Sequence, residues 1–133
     1  MPAKSAETYC VIVADSDVLI RNSLAEYLRA CGYQVIEAAS SDEVVTVARA
    51  GSHALGAILA DIELPGTIGA FELRSWVRSQ MVGVDVHLAG TVSKAAKAAG
   101  ELCEEGPHLK RPYDPQSVVE FIKRLQARTS KPE

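Results

Sequence analysis

Two aspartates stand where short apolar runs give out. Tyr9-Cys10-Val11-Ile12-Val13-Ala14 ends in Asp15, and Leu55-Gly56-Ala57-Ile58-Leu59-Ala60 ends in Asp61. A carboxylate can hold a hard cation through oxygen, or attack phosphorus as a nucleophile to give an acyl phosphate. Apolar runs of about six residues with polar borders have the pattern of strands buried on both faces, as in a parallel sheet. Open α/β sheets place their ligand sites outside the carboxyl ends of such strands. The two aspartates are therefore expected to share one acidic pocket at one edge of the sheet.

The elements that must position them follow from the alternation of short apolar runs with helix-like stretches. After Asp15, the segment Asp17 to Ala30 sets Val18, Leu19, Leu24, Tyr27 and Leu28 near one helical face and stops at Cys31-Gly32. A run over Tyr33–Ala38 follows, and Ser41-Asp42-Glu43 reads as the capped start of a helix that reaches Gly51. Leu64-Pro65-Gly66 forms the loop beyond Asp61. Phe71, Leu73, Trp76 and Val77 lie on a third helix, and Val82–Ala89 reads as a fourth strand. Ser93 is placed to cap an Ala-rich helix over Lys94–Glu104, and Pro107-His108-Leu109 is a short fifth strand candidate. Asp114-Pro115 starts a last helix whose Val118, Val119, Phe121, Ile122 and Leu125 face inward. This (βα)5 order implies a doubly wound parallel sheet with helices on both faces and right-handed crossovers.

The 133 residues fit one domain with a core over about 8–127 and short flexible ends, Met1–Glu7 and Arg128–Glu133. A net charge of -3 gives no electrostatic footprint for nucleic acid. The first residues lack the cationic start and apolar stretch of a signal peptide, and no run has transmembrane length, so a cytoplasmic protein without membrane contact is expected. Cys10, Cys31 and Cys103 form no CxxC and read as free thiols of a reducing cytoplasm, with Cys10 a small buried hydrophobe. His53 and His87 have no ligand spacing and read as structural, and Trp76 as helix packing.

With these residues in place, the chain resembles the receiver domains of bacterial response regulators over about Tyr9 to Leu125. The resemblance is carried by Val11-Ile12-Val13-Ala14-Asp15, by Ile58-Leu59-Ala60-Asp61-Ile62-Glu63-Leu64-Pro65-Gly66 with Gly69, and by Leu109-Lys110-Arg111-Pro112-Tyr113-Asp114. It implies a flavodoxin-like sheet of order 2-1-3-4-5. It also implies that Asp61 accepts a phosphoryl group from a histidine kinase or histidine phosphotransfer protein, with Mg²⁺ held by Asp15, Asp61 and the Glu63 position. Output would pass through protein contact at the last helix and its neighbours, to a downstream partner; a homodimer is left open. Such a chain turns over no substrate of its own.

Several supporting positions depart from the family pattern. The second acid of the usual pair is Ser16, and Asp17 one residue later is expected to serve the helix start. Gly90 stands at the hydroxyl position, with Thr91 beside it as a substitute. Arg111 stands at the lysine position, offering a planar fork in place of a point charge, and His108 at the aromatic switch position. These changes predict a weakened Mg²⁺ site and slow or metal-insensitive phosphorylation. A pseudo-receiver that binds partners without phosphorylation is the alternative. A small flavodoxin-like enzyme or nucleotide binder is a third, weaker reading, since neither GxGxxG nor GxxxxGK[ST] occurs.

Overall fold

Strand β1 (Tyr9–Ala14) lies inside a parallel sheet of order β2-β1-β3-β4, completed by β2 (Gln34–Ala38), β3 (Ala54–Asp61) and β4 (Asp85–Ala89). The computed structural model describes residues 9–51, 54–105 and 114–130. The fifth strand expected at 107–109 falls outside them, as do His53, His108, Lys110 and Arg111. Side chains of β1 alternate between two buried clusters. Val11 and Val13 belong to one, Ile12 and Ala14 to the other, so both faces of the sheet are covered and the unbroken apolar run is explained.

Helices α1 (Val18–Ala30), α4 (Val92–Glu105) and α5 (Pro115–Ser130) pack on the first face through Leu24, Leu28, Ala99, Leu102, Val118 and Ile122. Helices α2 (Ser41–Ala50) and α3 (Ala70–Gln80) cover the second through Val44, Leu73 and Val77. The placement of α4 is notable. A right-handed crossover from β4 to a strand beyond it would carry the helix over the α2–α3 face. Here α4 lies against α1 and α5 instead.

The helix starts show which sequence signals were decisive. Asp17 caps α1, its Oδ1 accepting from the backbone N–H of Leu19 at 2.9 Å and Ile20 at 3.2 Å. Asp114 does the same for α5, accepting from Gln116 N–H at 3.0 Å. Two expected caps are each displaced. Ser40, not Ser41, accepts from Glu43 N–H at 3.2 Å, while Glu43 reaches back to Ala39 N–H at 2.6 Å. Thr91, not Ser93, accepts from Lys94 N–H at 3.1 Å. In both cases an earlier hydroxyl residue reaches the third N–H of the helix, and the helix starts sooner than propensity alone implied.

Three large apolar residues of the helices are exposed: Val18, Phe71 and Phe121, the last of which was expected to face inward. Val18 is the first residue after the cap, outside the arc that Leu24 and Leu28 bury. Phe71 lies under the Arg74 guanidinium, 5.4 Å from the ring centroid. Phe121 sits in a groove between α1 and α5 with Asn22, Val118 and Arg124. Trp76 packs on the second cluster as expected, with Arg49 over its ring at 5.6 Å. Helix α5 continues through Ser130, past the expected fraying point at Arg128.

The free-thiol reading holds for Cys10, which is buried and whose pKa burial pushes up. It fails for the other two cysteines. Cys31, at the carboxyl end of α1, is disulfide-bonded to Cys103 in α4, with Cα atoms 5.5 Å apart. The pairing depends on α4 lying against α1, which brings residues separated by 72 positions within disulfide reach. Restricting a loop of that length in the unfolded chain contributes about 4 kcal/mol on the chain-entropy account. Urea denaturation should separate the two kinds of local support: Leu59→Ala, emptying space under the sheet, should cost about 3 kcal/mol, and Asp17→Ala, removing a cap, about 1 kcal/mol.

Candidate functional site

Parallel pairing of β1 with β3 sets Ala14 opposite Ala60, so the next residue of each strand, Asp15 and Asp61, leaves the sheet at the same edge. Adjacent strands run about 4.8 Å apart. β3 reaches one residue further than its neighbour, and Asp61 pairs with Ala89 of β4. The two aspartates line one pocket of about 210 Å³, together with Ile20, Glu63, Gly90 and Thr91. Asp15 is buried, Asp61 half-buried, and Glu63 and Thr91 are exposed at the rim.

Asp15 does not cap α1; Asp17 has that task. The Asp15 carboxylate instead accepts from Asp17 N–H at 2.8 Å, while its own N–H donates to Ala38 O at 3.0 Å. Burial raises its pKa above the ordinary 3.8, and the charges of Asp61 and Asp17 push the same way. The Asp17 N–H bond and the Arg21 guanidinium oppose that rise. Arg21 is a site residue that the sequence reading missed. Its Nη1 donates to Asp15 O at 3.0 Å and its Nε pairs with Glu37 at 3.1 Å, tying the loop after β1 to β2. The available signal was a basic residue six positions after Asp15, one turn inside α1.

The loop after Asp61 is held from the side by the start of α2. Ser41 N–H donates to Pro65 O at 2.8 Å, Ser41 Oγ donates to Ile68 O at 2.7 Å, and Asp42 accepts from Thr67 N–H at 3.0 Å. The Thr67 hydroxyl, and after it this N–H bond, keeps the Asp42 pKa low. Gly66 adopts φ 139°, and a Cβ there would run into the Ser41 hydroxyl and backbone. So Ser41, read from sequence as a cap, is a buried clamp on the site loop.

The hydroxyl expected beside the pocket is rearranged. A Cβ on Gly90 would lie 3.1 Å from Ile62 Cδ1, so the Ile62 side chain covers the place where a side chain of residue 90 would start. Thr91 does line the pocket, and its Oγ1 accepts from Lys94 N–H, which leaves its own proton free to donate. Ser16 is exposed and is not among the lining residues. Arg111 lies outside the described residues. Among the described residues no three His, Cys, Asp or Glu side chains converge as a metal-binding group. Asp15 and Asp61 nonetheless suit Mg²⁺, which commonly takes one or two carboxylates and keeps waters. The raised pKa of Asp15 marks a buried negative charge that a cation would relieve.

Two outcomes follow from this geometry. Gly66→Ala should destabilise the protein by about 2 kcal/mol, through left-handed backbone strain and loss of the Ser41 clamp, measured by thermal unfolding. Asp15 favours its proton more in the folded chain than in the unfolded one, so its ionisation lowers stability as pH rises from 3.8 through the raised folded value. Asp15→Asn should therefore be more stable than the parent at pH 7 in metal-free buffer. The difference should vanish below the ordinary aspartate range, and added Mg²⁺ should stabilise only the parent.

No protein-family model matches the chain. It is 32% identical over 122 residues to the transcriptional regulatory protein AruR of Pseudomonas aeruginosa, covering 86% of this chain and 48% of that one. It is 24% identical over 123 residues to the aerobic respiration control protein ArcA of Escherichia coli K12, covering 92% and 50%. The chain thus spans about half the length of the curated relatives it matches. In fold it is similar to the crystal structure of a putative response regulator from Chloroflexus aurantiacus, with TM-score 0.56 at 27% identity over 90% of this chain and 98% of that one. The βα order, the paired aspartates and these likenesses together place the chain among the response regulator receiver domains of two-component signalling.

Proposed function

We propose that Asp61 accepts a phosphoryl group from a histidine kinase or a histidine phosphotransfer protein, in the cytoplasm, and that the chain signals through contact with a downstream protein rather than by turning over a substrate. The observation that carries this is the shared pocket: Asp61 is accessible, and a second carboxylate is fixed beside it by strand register. An Asp61 carboxylate oxygen forms the new O–P bond as the P–N bond of the phosphohistidine breaks, and the donor imidazole keeps the electron pair. Asp15 would hold Mg²⁺ with Asp61, and the Glu63 side chain at the rim would add charge where Ser16 supplies none. When bound, the cation offsets the repulsion between the carboxylate and the phosphoryl oxygens. The Thr91 hydroxyl, oriented by Lys94 N–H, would donate to a phosphoryl oxygen, and Arg111 would contribute a guanidinium from the segment before α5.

A phosphorylation-independent interaction module is the second reading, and one observation favours it. Ile62 covers the Gly90 position, so an apolar side chain stands beside the place where a hydroxyl donor is expected. Intact-mass measurement after acetyl phosphate treatment separates the two. Phosphoryl acceptance predicts one added phosphoryl group in the parent and none in Asp61→Ala, and a rate at least 10-fold lower without Mg²⁺ marks a cation held by Asp15 and Asp61. No adduct with or without Mg²⁺, together with a partner that binds parent and Asp61→Ala equally, selects the interaction module.

A further inference from the structure

Cys31 and Cys103 lie far from the acid pocket, yet the helix that carries Cys103 forms part of that pocket's wall. We propose that these two cysteines form a reversible thiol–disulfide couple that holds α4 on the α1 face of the sheet and so sets the wall of the Asp15–Asp61 pocket. The disulfide ties the carboxyl end of α1 to the last turns of α4. At the other end of the same helix, Thr91, Val92 and Ala95 line the pocket. Cys103 follows Val92 by eleven positions, a rigid span of about 16 Å. A shift of the helix at Cys103 is therefore felt at the pocket.

Small side chains dominate the seam that the disulfide spans. The buried face of α4 consists largely of Ala95, Ala96, Ala99 and Gly100, with Leu102 the one large aliphatic side chain. Alanines bury little apolar area, so they supply little of the free energy that larger side chains give such a seam. Two other devices hold the same end: the Tyr33 hydroxyl donates to Leu102 O, and Pro115 packs where a Cβ on Gly100 would lie. The helix lies on the α1–α5 face of the sheet, where the disulfide is its covalent tie to α1. Removing the disulfide leaves that end of α4 to its small-residue seam, the Tyr33 hydrogen bond and Pro115.

Chemistry and compartment agree with a switch. In a cytoplasm kept reduced by thiols, a disulfide is more often transient and redox-sensing than a permanent staple, and this step rests on the cytoplasmic reading proposed above. Both sulfurs are buried, so a reductant reaches them only when the α1–α4 seam opens. A thiolate of a dithiol reductant then attacks one sulfur, forming a mixed disulfide and releasing the other cysteine as a thiolate. The reductant's second thiol resolves the mixed disulfide. Two electrons pass to the protein, Cys31 and Cys103 each end as a thiol with one proton, and the reductant leaves as its own disulfide.

The test uses the full chain purified without reductant. Maleimide labelling in denaturant should count one thiol (Cys10) before dithiothreitol treatment and three after it, and oxidised glutathione should restore the count of one. Amide hydrogen exchange of the reduced chain should be at least 10-fold faster over 91–105 than in the oxidised chain, with β1 and β3 protected in both. The Cys31→Ala/Cys103→Ala variant, which keeps the packing apolar, should match the reduced chain whatever the redox buffer. Three thiols in the untreated protein would overturn the proposal. So would equal α4 exchange in both states, or loss of protection through the whole sheet on reduction, which would make the bond a plain staple. None of these readouts involves phosphoryl transfer, so a failure of Asp61 to accept phosphoryl leaves them intact.

Discussion

Register between two parallel strands is the constraint on which the site depends. Once Ala14 pairs with Ala60, the residues that follow have no choice but to emerge side by side, and both are aspartates. The fold thus buries the Asp15 carboxylate and sets Asp61 beside it, an arrangement that disfavours the ionised Asp15, first through burial and then through the neighbouring charge, and that binding a cation relieves. Much of the surrounding structure can be understood as support for this unfavourable pair. Asp17 N–H satisfies one Asp15 oxygen, Arg21 brings a positive charge and ties the loop to Glu37, and the α2 start grips the loop after Asp61. A site that stores repulsion responds strongly to anything that changes its charge, which is what a phosphoryl-accepting signal element requires.

The features readable in the sequence were those encoded locally. Apolar runs ending at Asp15 and Asp61 fix strand ends, and Asp17 and Asp114 fix helix starts, because a short acidic side chain at those places bonds N–H groups two or three residues away. Caps were misplaced at Ser41 and Ser93, where neighbouring hydroxyl residues compete and the winner depends on tertiary demand. Ser41 is withdrawn from capping because its hydroxyl is needed by Ile68 O across the loop. Ile62 over Gly90 and Arg21 against the Asp15 carbonyl were equally invisible, since each joins residues from separate elements.

The disulfide was missed for a related reason. Cysteine spacing predicts pairing only when the path of the chain is known, and the expected order of alternating elements gives no warning that α4 turns back onto α1. Its alanine-rich face did carry a hint. Small side chains suit a close approach between helices, and here they meet Pro115 and the α1 end at short range. Composition announced the helix but not the face it would choose.

Carboxyl-carbon NMR titration of Asp15, in the parent chain and in Asp61→Asn, tests the shared acidic pocket most directly. Charge coupling across the β1–β3 edge predicts that neutralising residue 61 lowers the Asp15 pKa towards its ordinary value, with Mg²⁺ lowering it in the parent as well. An Asp15 pKa that is the same in both chains would mean that the two carboxylates do not share a pocket, and the signalling chemistry assigned to it would lose its basis.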